Sequence, residues 1–140
     1  MRTYITGSEQ ETQACGAMLA GELSAPAVVA LSGGLGAGKT AFVRGMASVL
    51  APGAHVSSPT YALVHEYGGK PPLVHFDMYR IAGWADLEST GYYDYLASGA
   101  VLAVEWSENI AAALPEGTVY VTIEDLGAGK RRILIGEAPV

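Results

Sequence analysis

Gly33-Gly34-Leu35-Gly36-Ala37-Gly38-Lys39-Thr40 satisfies G-x-x-x-x-G-K-[ST], the phosphate-binding P-loop pattern. An apolar run, Val28-Val29-Ala30-Leu31, comes just before it. Behind it, Phe42, Val43, Met46, Ala47 and Leu50 recur at helical spacing. The pattern therefore sits between a strand and a helix, the context that gives it meaning. Glycines let the backbone wrap tightly and aim successive N–H groups into one concavity. The helix N-terminus adds partial positive charge. Gly34, Leu35, Gly36, Ala37 and Gly38 would cradle phosphates, Lys39 would reach the terminal ones, and the Thr40 hydroxyl would ligate Mg²⁺. The competing reading is a glycine-rich strand–helix turn with no ligand.

The rest of the chain is consistent with such a site. Its 140 residues, half of them hydrophobic and only 16% charged, are expected to form a single domain, residues 1–140, with a core of its own. The net charge of −6 argues against unaided nucleic-acid binding, which needs a basic footprint. Work on RNA through a basic partner stays open. Cys15 stands alone, which fits a reducing compartment. Its place on an apolar helix face suggests a core residue. No signal sequence or membrane-length apolar run is seen, so a cytoplasmic protein is expected.

Along the chain, residues 3–5 suggest a short strand. Ser8 and Glu11 form a capping box, starting a helix that runs to about Leu23. Pro52-Gly53 ends the helix after the P-loop. Residues 62–67 and 73–76 suggest a hairpin across Gly68-Gly69-Lys70-Pro71-Pro72. Short helical pieces follow at 85–89 and 92–96, a buried strand at 100–104, and a helix at 109–114. Residues 119–123 and 132–135 form a second hairpin around Gly127-Ala128-Gly129. Strands alternating with helices in the middle and pairing toward the ends predict an α/β, P-loop NTPase-like three-layer sandwich. Its sheet is mixed and parallel at the centre.

Two acids end apolar strands: Asp77 after Leu73-Val74-His75-Phe76, and Glu105 after Val101-Leu102-Ala103-Val104. If both strands run parallel to the P-loop strand, both carboxylates reach the sheet edge where ligands bind. Either could hold Mg²⁺ or orient an attacking water. The sequence does not assign the two roles, and either acid could instead cap a turn. Thr60 lies in the loop after the P-loop helix, where a threonine can sense a terminal phosphate or simply stabilise the turn after Pro59. Arg80 could clamp a phosphate, pair with an acid or face solvent. Trp106 could stack on a ligand or partner, or pack. The Tyr92-Tyr93-Asp94-Tyr95 cluster reads as a packed helix face or a partner surface. His55, His65 and His75 show no metal-ligand spacing and read as ordinary residues.

Taken together, Gly36-Ala37-Gly38-Lys39-Thr40, Ser58-Pro59-Thr60-Tyr61, His75-Phe76-Asp77-Met78-Tyr79-Arg80 and Val104-Glu105-Trp106 make the chain closely resemble the TsaE (YjeE) family. The resemblance covers about residues 3 to 136. It implies an ATPase subunit, slow alone, that uses ATP and Mg²⁺ in making threonylcarbamoyladenosine in tRNA. It implies a TsaD-like transferase and a TsaB-like subunit as partners, with tRNA met only through them. It implies metal binding by Thr40 and Glu105, a Walker-B-like role for Asp77, and a switch-like loop around Thr60. It also puts Thr6 and Lys130 near the nucleotide. Three positions depart from the family pattern: Gly34 for an acid, Met78 for Leu, and Thr90 for an apolar residue. The alternative is a small P-loop metabolite or nucleotide kinase. Kinases usually carry an arginine-rich lid, and only eight Lys and Arg exist here. A GTPase would need an Asn-Lys-x-Asp motif, which is absent.

Overall fold

The computed structural model describes residues 1–34, 36–57 and 63–139. The elements run β1 (Arg2–Thr6), α1 (Glu9–Glu22), β2 (Ala27–Ser32), α2 (Lys39–Leu50), β3 (Val64–Gly68), β4 (Leu73–Asp77), α3 (Trp84–Ser89), α4 (Tyr92–Ala97) and β5 (Val101–Glu105). A 3₁₀ helix (Ser107–Ala113), β6 (Val119–Gly127) and β7 (Lys130–Gly136) complete the chain.

The strands form one 7-stranded sheet in the order β1-β7-β6-β2-β5-β4-β3. β6, β2, β5 and β4 run parallel, and the flanking pairs β1–β7, β6–β7 and β3–β4 are antiparallel. This is the mixed, centrally parallel α/β sheet expected from the sequence. The central strands read as unbroken apolar runs because both of their faces are covered. Val29, Leu31, Val101, Ala103, Ile123 and Ile133 face a core shared with Leu19 of α1 and Phe42, Val43 and Met46 of α2. Val28, Val74, Phe76, Leu102 and Val104 face a second core with Leu87, Tyr92 and Ile110.

α1 and α2 meet with little between them. A Cβ on Gly16 would lie 2.1 Å from the Phe42 carbonyl oxygen, and one on Gly45 would lie 1.8 Å from that of Gln13. Ser8 caps α1 by accepting the Glu11 N–H at 3.1 Å. The return half of the capping box lands one residue early, because the Glu11 carboxylate accepts the Gly7 N–H at 3.0 Å. Cys15 is buried in this layer.

Several boundaries differ from the sequence reading. β3 starts at Val64, not residue 62, because Leu63 has φ 66° and cannot extend a strand. Ala62 itself lies outside the described residues. The helix expected at 109–114 is a 3₁₀ helix that begins at Ser107, where Trp106 turns the chain with φ 57° and ψ 40°. Thr90 serves the joint between α3 and α4, donating to the Leu87 carbonyl at 2.7 Å and accepting the Tyr92 N–H at 3.1 Å. Tyr92 and Tyr95 pack edge-on against Phe76, with centroids 5.8 Å and 5.6 Å away, so much of that tyrosine cluster is core. No helix among the described residues is long and apolar enough to cross a membrane.

Candidate functional site

β2 delivers the chain to the P-loop, and the loop turns back under β6. At Gly33, φ is 140° and a Cβ would meet the Ile123 carbonyl oxygen at 2.4 Å, so only glycine fits. Gly38 ends the loop with φ 111° as the N-cap of α2. Lys39 follows at the first position of the helix. Its ammonium folds back onto the loop, donating to the carbonyls of Gly33 at 2.5 Å and Gly34 at 3.0 Å. The Trp106 ring covers it, with Nζ 4.2 Å from the centroid. Burial pulls the Lys39 ammonium below its usual range, while the carboxylates of Glu105, Glu108 and Asp77 work against that fall.

The two strand-terminal acids stand side by side. Asp77 of β4 is the register partner of Glu105 of β5, and Glu105 is in turn the partner of Leu31 of β2. Side chains alternate along a strand, so both acids point to the face that α1 and α2 cover, as Leu31 and Ala103 do. They are 3% and 4% exposed. Thr40 Oγ1 donates to Glu105 Oε2 at 3.2 Å. Asp77 Oδ1 accepts the Tyr79 N–H at 2.8 Å, so this acid also caps its turn. His75 Nε2 lies 2.5 Å from Glu105 Oε2.

These groups open onto a cleft of ≈ 570 Å³. The P-loop residues 36–40, Asp77, Glu105 and Trp106 line it, together with Ser8, Glu9, Thr12, Gly129 and Arg131. Tyr79 packs on Trp106 with ring centroids 4.8 Å apart. Arg131 braces the loop from outside. Its Nε donates to the Ala37 carbonyl at 2.8 Å and its Nη2 to the Gly36 carbonyl at 3.3 Å, while Nη1 bonds Asp125 at 3.0 Å.

The site thus brings together Gly36, Ala37, Gly38, Lys39, Thr40, Asp77 and Glu105. Gly34 is exposed on the loop and joins through its carbonyl. Thr6 is buried, its hydroxyl 2.8 Å from that of Thr12, which does line the cleft. Lys130 is exposed at the hairpin and does not line the cleft, nor does the exposed Arg80. Leu35 and Thr60 lie outside the described residues, with Ser58, Pro59 and Tyr61. Among the contributors the sequence reading missed are Arg131, Tyr79 and His75. His75, read as ordinary, is fully buried against Glu105. The signal that could have found it is a ring with two polar nitrogens inside an otherwise apolar strand, which must find partners there.

The donor set fits a small, hard cation held partly by phosphate. Among the described residues no group of three or more His, Cys, Asp and Glu side chains is placed to share one ion. The chain offers one hydroxyl and two carboxylates, all oxygen. Mg²⁺ accepts such a set, since it keeps waters and takes its remaining ligands from substrate phosphates.

Comparison with known proteins places the chain in a family. Residues 6–133 match the family described as "Threonylcarbamoyl adenosine biosynthesis protein TsaE". The tRNA threonylcarbamoyladenosine biosynthesis protein TsaE of Treponema pallidum is 36% identical over 131 residues, covering 94% of this chain and 97% of that protein. The protein of the same name from Bacillus subtilis is 35% identical over 131 residues, covering 93% of this chain and 82% of that one. A crystal structure of Bacillus subtilis YdiB superposes with a TM-score of 0.78 at 30% identity, covering 98% of this chain and 86% of that one.

Proposed function

The chain belongs to the TsaE family of threonylcarbamoyladenosine biosynthesis, and from that membership and the cleft together we propose that it binds ATP with Mg²⁺ and hydrolyses it. The observation that carries this is the placement of two buried carboxylates, Asp77 and Glu105, at one level of the sheet, beside Thr40 and Lys39. A plain glycine-rich turn has no use for two buried acids there. In water-poor surroundings a carboxylate is costly unless something cationic or hydrogen-bonding meets it.

In this reading the P-loop amides and the start of α2 hold the phosphates. Lys39 exchanges the Gly33 and Gly34 carbonyls for phosphate oxygens, a stronger, charge-assisted contact. Thr40 and Glu105 face the metal, and Asp77 orients water or backs the metal. Bound Mg²⁺ supplies charge neutralisation across the terminal phosphates. Thr60, from its sequence position, belongs with this set. Adenine is favoured over guanine because no guanine-reading motif is present. The work is done in the cytoplasm with a TsaD-like transferase and a TsaB-like subunit. The net charge of −6 suits contact with tRNA through those partners, not directly.

Reconstitution tests the reading. With purified partner proteins, tRNA, ATP, Mg²⁺ and a threonylcarbamoyl donor, the modified nucleoside should form only when this chain is present. Lys39→Ala should fail to replace it. Full product formation without the chain, or with Lys39→Ala, contradicts the proposal.

A further inference from the structure

One buried polar side chain next to the cleft has no part in the chemistry above. His75 is 0% exposed, yet both ring nitrogens are engaged. Nε2 meets Glu105 Oε2 at 2.5 Å and Nδ1 meets the Tyr67 hydroxyl at 2.8 Å. The same hydroxyl lies 3.2 Å from the Ser57 carbonyl. With Thr40 on Glu105 Oε2, a chain of hydrogen bonds runs from Tyr67 through His75 and Glu105 to the first turn of α2.

We propose that His75, itself oriented by Tyr67, is a positioning residue that fixes the Glu105 carboxylate for Mg²⁺–nucleotide; this rests on the reading of Glu105 as a metal-side acid. Glu105 ends its strand on a side chain with several rotatable bonds. Two donors on one oxygen, from different elements, leave it a single orientation. Oε2 is taken by His75 and Thr40, and among the described residues no hydrogen bond is made to Oε1. Among the described residues, one carboxylate oxygen is therefore tied to the protein and the other is available to an incoming ligand.

The donor directions follow by elimination. A carboxylate only accepts, so Nε2 must carry a proton to hold it. In the neutral ring Nδ1 is then an acceptor, and the Tyr67 O–H must be its donor. Tyr67 has one proton and three polar neighbours, of which His75 Nδ1 at 2.8 Å is nearer than the Ser57 carbonyl at 3.2 Å or His65 Nδ1 at 3.4 Å. Burial pushes the Tyr67 hydroxyl up to about 12, which keeps it a donor at neutral pH. Partners behind a ligand commonly decide how well it serves a metal.

The test compares binding of ATPγS with Mg²⁺ and with EDTA, by calorimetry, in folded variants. His75→Leu should cut the Mg²⁺-dependent gain in affinity by about tenfold or more, leaving EDTA binding unchanged. His75→Gln, whose side-chain N–H₂ can stand in for Nε2–H, should restore most of that gain. Tyr67→Phe should lose part of it. Nitrogen-15 spectra of the wild-type ring should show the Nε2–H tautomer. An unaltered Mg²⁺ gain in His75→Leu, or an Nδ1–H tautomer in the wild type, overturns the inference. If His75→Leu does not fold, the Tyr67→Phe titration and the wild-type spectrum decide. A wild-type chain that binds nucleotide with no gain from Mg²⁺ sinks the metal-side reading of Glu105, and the inference with it. A wild-type gain that survives every one of these substitutions sinks the inference alone.

Discussion

The ammonium of Lys39 stands 4.2 Å from the centre of the Trp106 ring, and both line the same cleft. A cation over an indole face is attracted to the ring quadrupole. Here the indole covers the charge that the P-loop motif assigns to phosphate. Nucleotide binding must draw Lys39 off the Gly33 and Gly34 carbonyls and change what Trp106 sees.

Trp106 emission should therefore change on adding ATP, and the change should be lost in Lys39→Ala. The other tryptophan, Trp84, is 65% exposed and bonds Glu88, away from the cleft. In a Trp84→Phe background the whole signal comes from Trp106. A nucleotide titration monitored at tryptophan emission reads this. Emission that stays flat while calorimetry shows saturation would mean Lys39 does not move.

Arg131 should matter more than Lys130. Its guanidinium fork holds two P-loop carbonyls at once, at Ala37 and Gly36. Hydrogen bonds from a charged donor contribute roughly 1.5–3 kcal/mol when buried, and less for a partly exposed group such as Arg131. Arg131→Ala should weaken ATP binding by about tenfold. Arg131→Lys should not restore it, because a single ammonium lacks the planar fork. Lys130→Ala should bind nearly as the wild type does. The reverse ranking in calorimetry would return the nucleotide contact to Lys130.

How far the sequence led is clearest at this hairpin. The hairpin itself was legible from Gly127-Ala128-Gly129 between two alternating runs. Which of the three consecutive basic residues, Lys130, Arg131 and Arg132, turns toward the loop was not, because β6 carries a register shift between Asp125 and Gly127. A one-residue offset moves every side chain to the opposite face, and nothing local in the sequence fixes it. The acids were legible for the opposite reason. Asp77 and Glu105 each close a largely apolar run, which pointed to strand ends, and β4 and β5 do end on them side by side. His75 stood out as the one polar ring in an apolar run, but nothing in the sequence said which partners its nitrogens would find. Trp106 at φ 57° likewise left no trace that would shift the following helix from 109 to Ser107.

Gly45→Ala should destabilise the fold without touching the cleft. The added methyl would lie 1.8 Å from the Gln13 carbonyl oxygen, in the α1–α2 contact. Backbone must move to admit it, and overpacking of this kind costs roughly 1–3 kcal/mol. Urea unfolding of nucleotide-free protein should show a clear drop in midpoint. A midpoint equal to wild type would mean the two helices are not packed this closely.

The central claim is that Glu105 at the sheet edge serves nucleotide chemistry and not the fold. Glu105→Gln tests it most directly, since Gln keeps the shape and can still accept from His75 and Thr40. The ATPase rate is measured with the partner proteins present, and the melting temperature without nucleotide, so that ligand binding does not contribute to it. The account predicts turnover reduced by roughly a hundredfold or more, the scale of a positioned charge in a closed site, with the melting temperature almost unchanged. Near-normal turnover together with a clearly lowered melting temperature would contradict it, leaving Glu105 a structural acid and Asp77 and Thr40 the remaining metal candidates among the described residues.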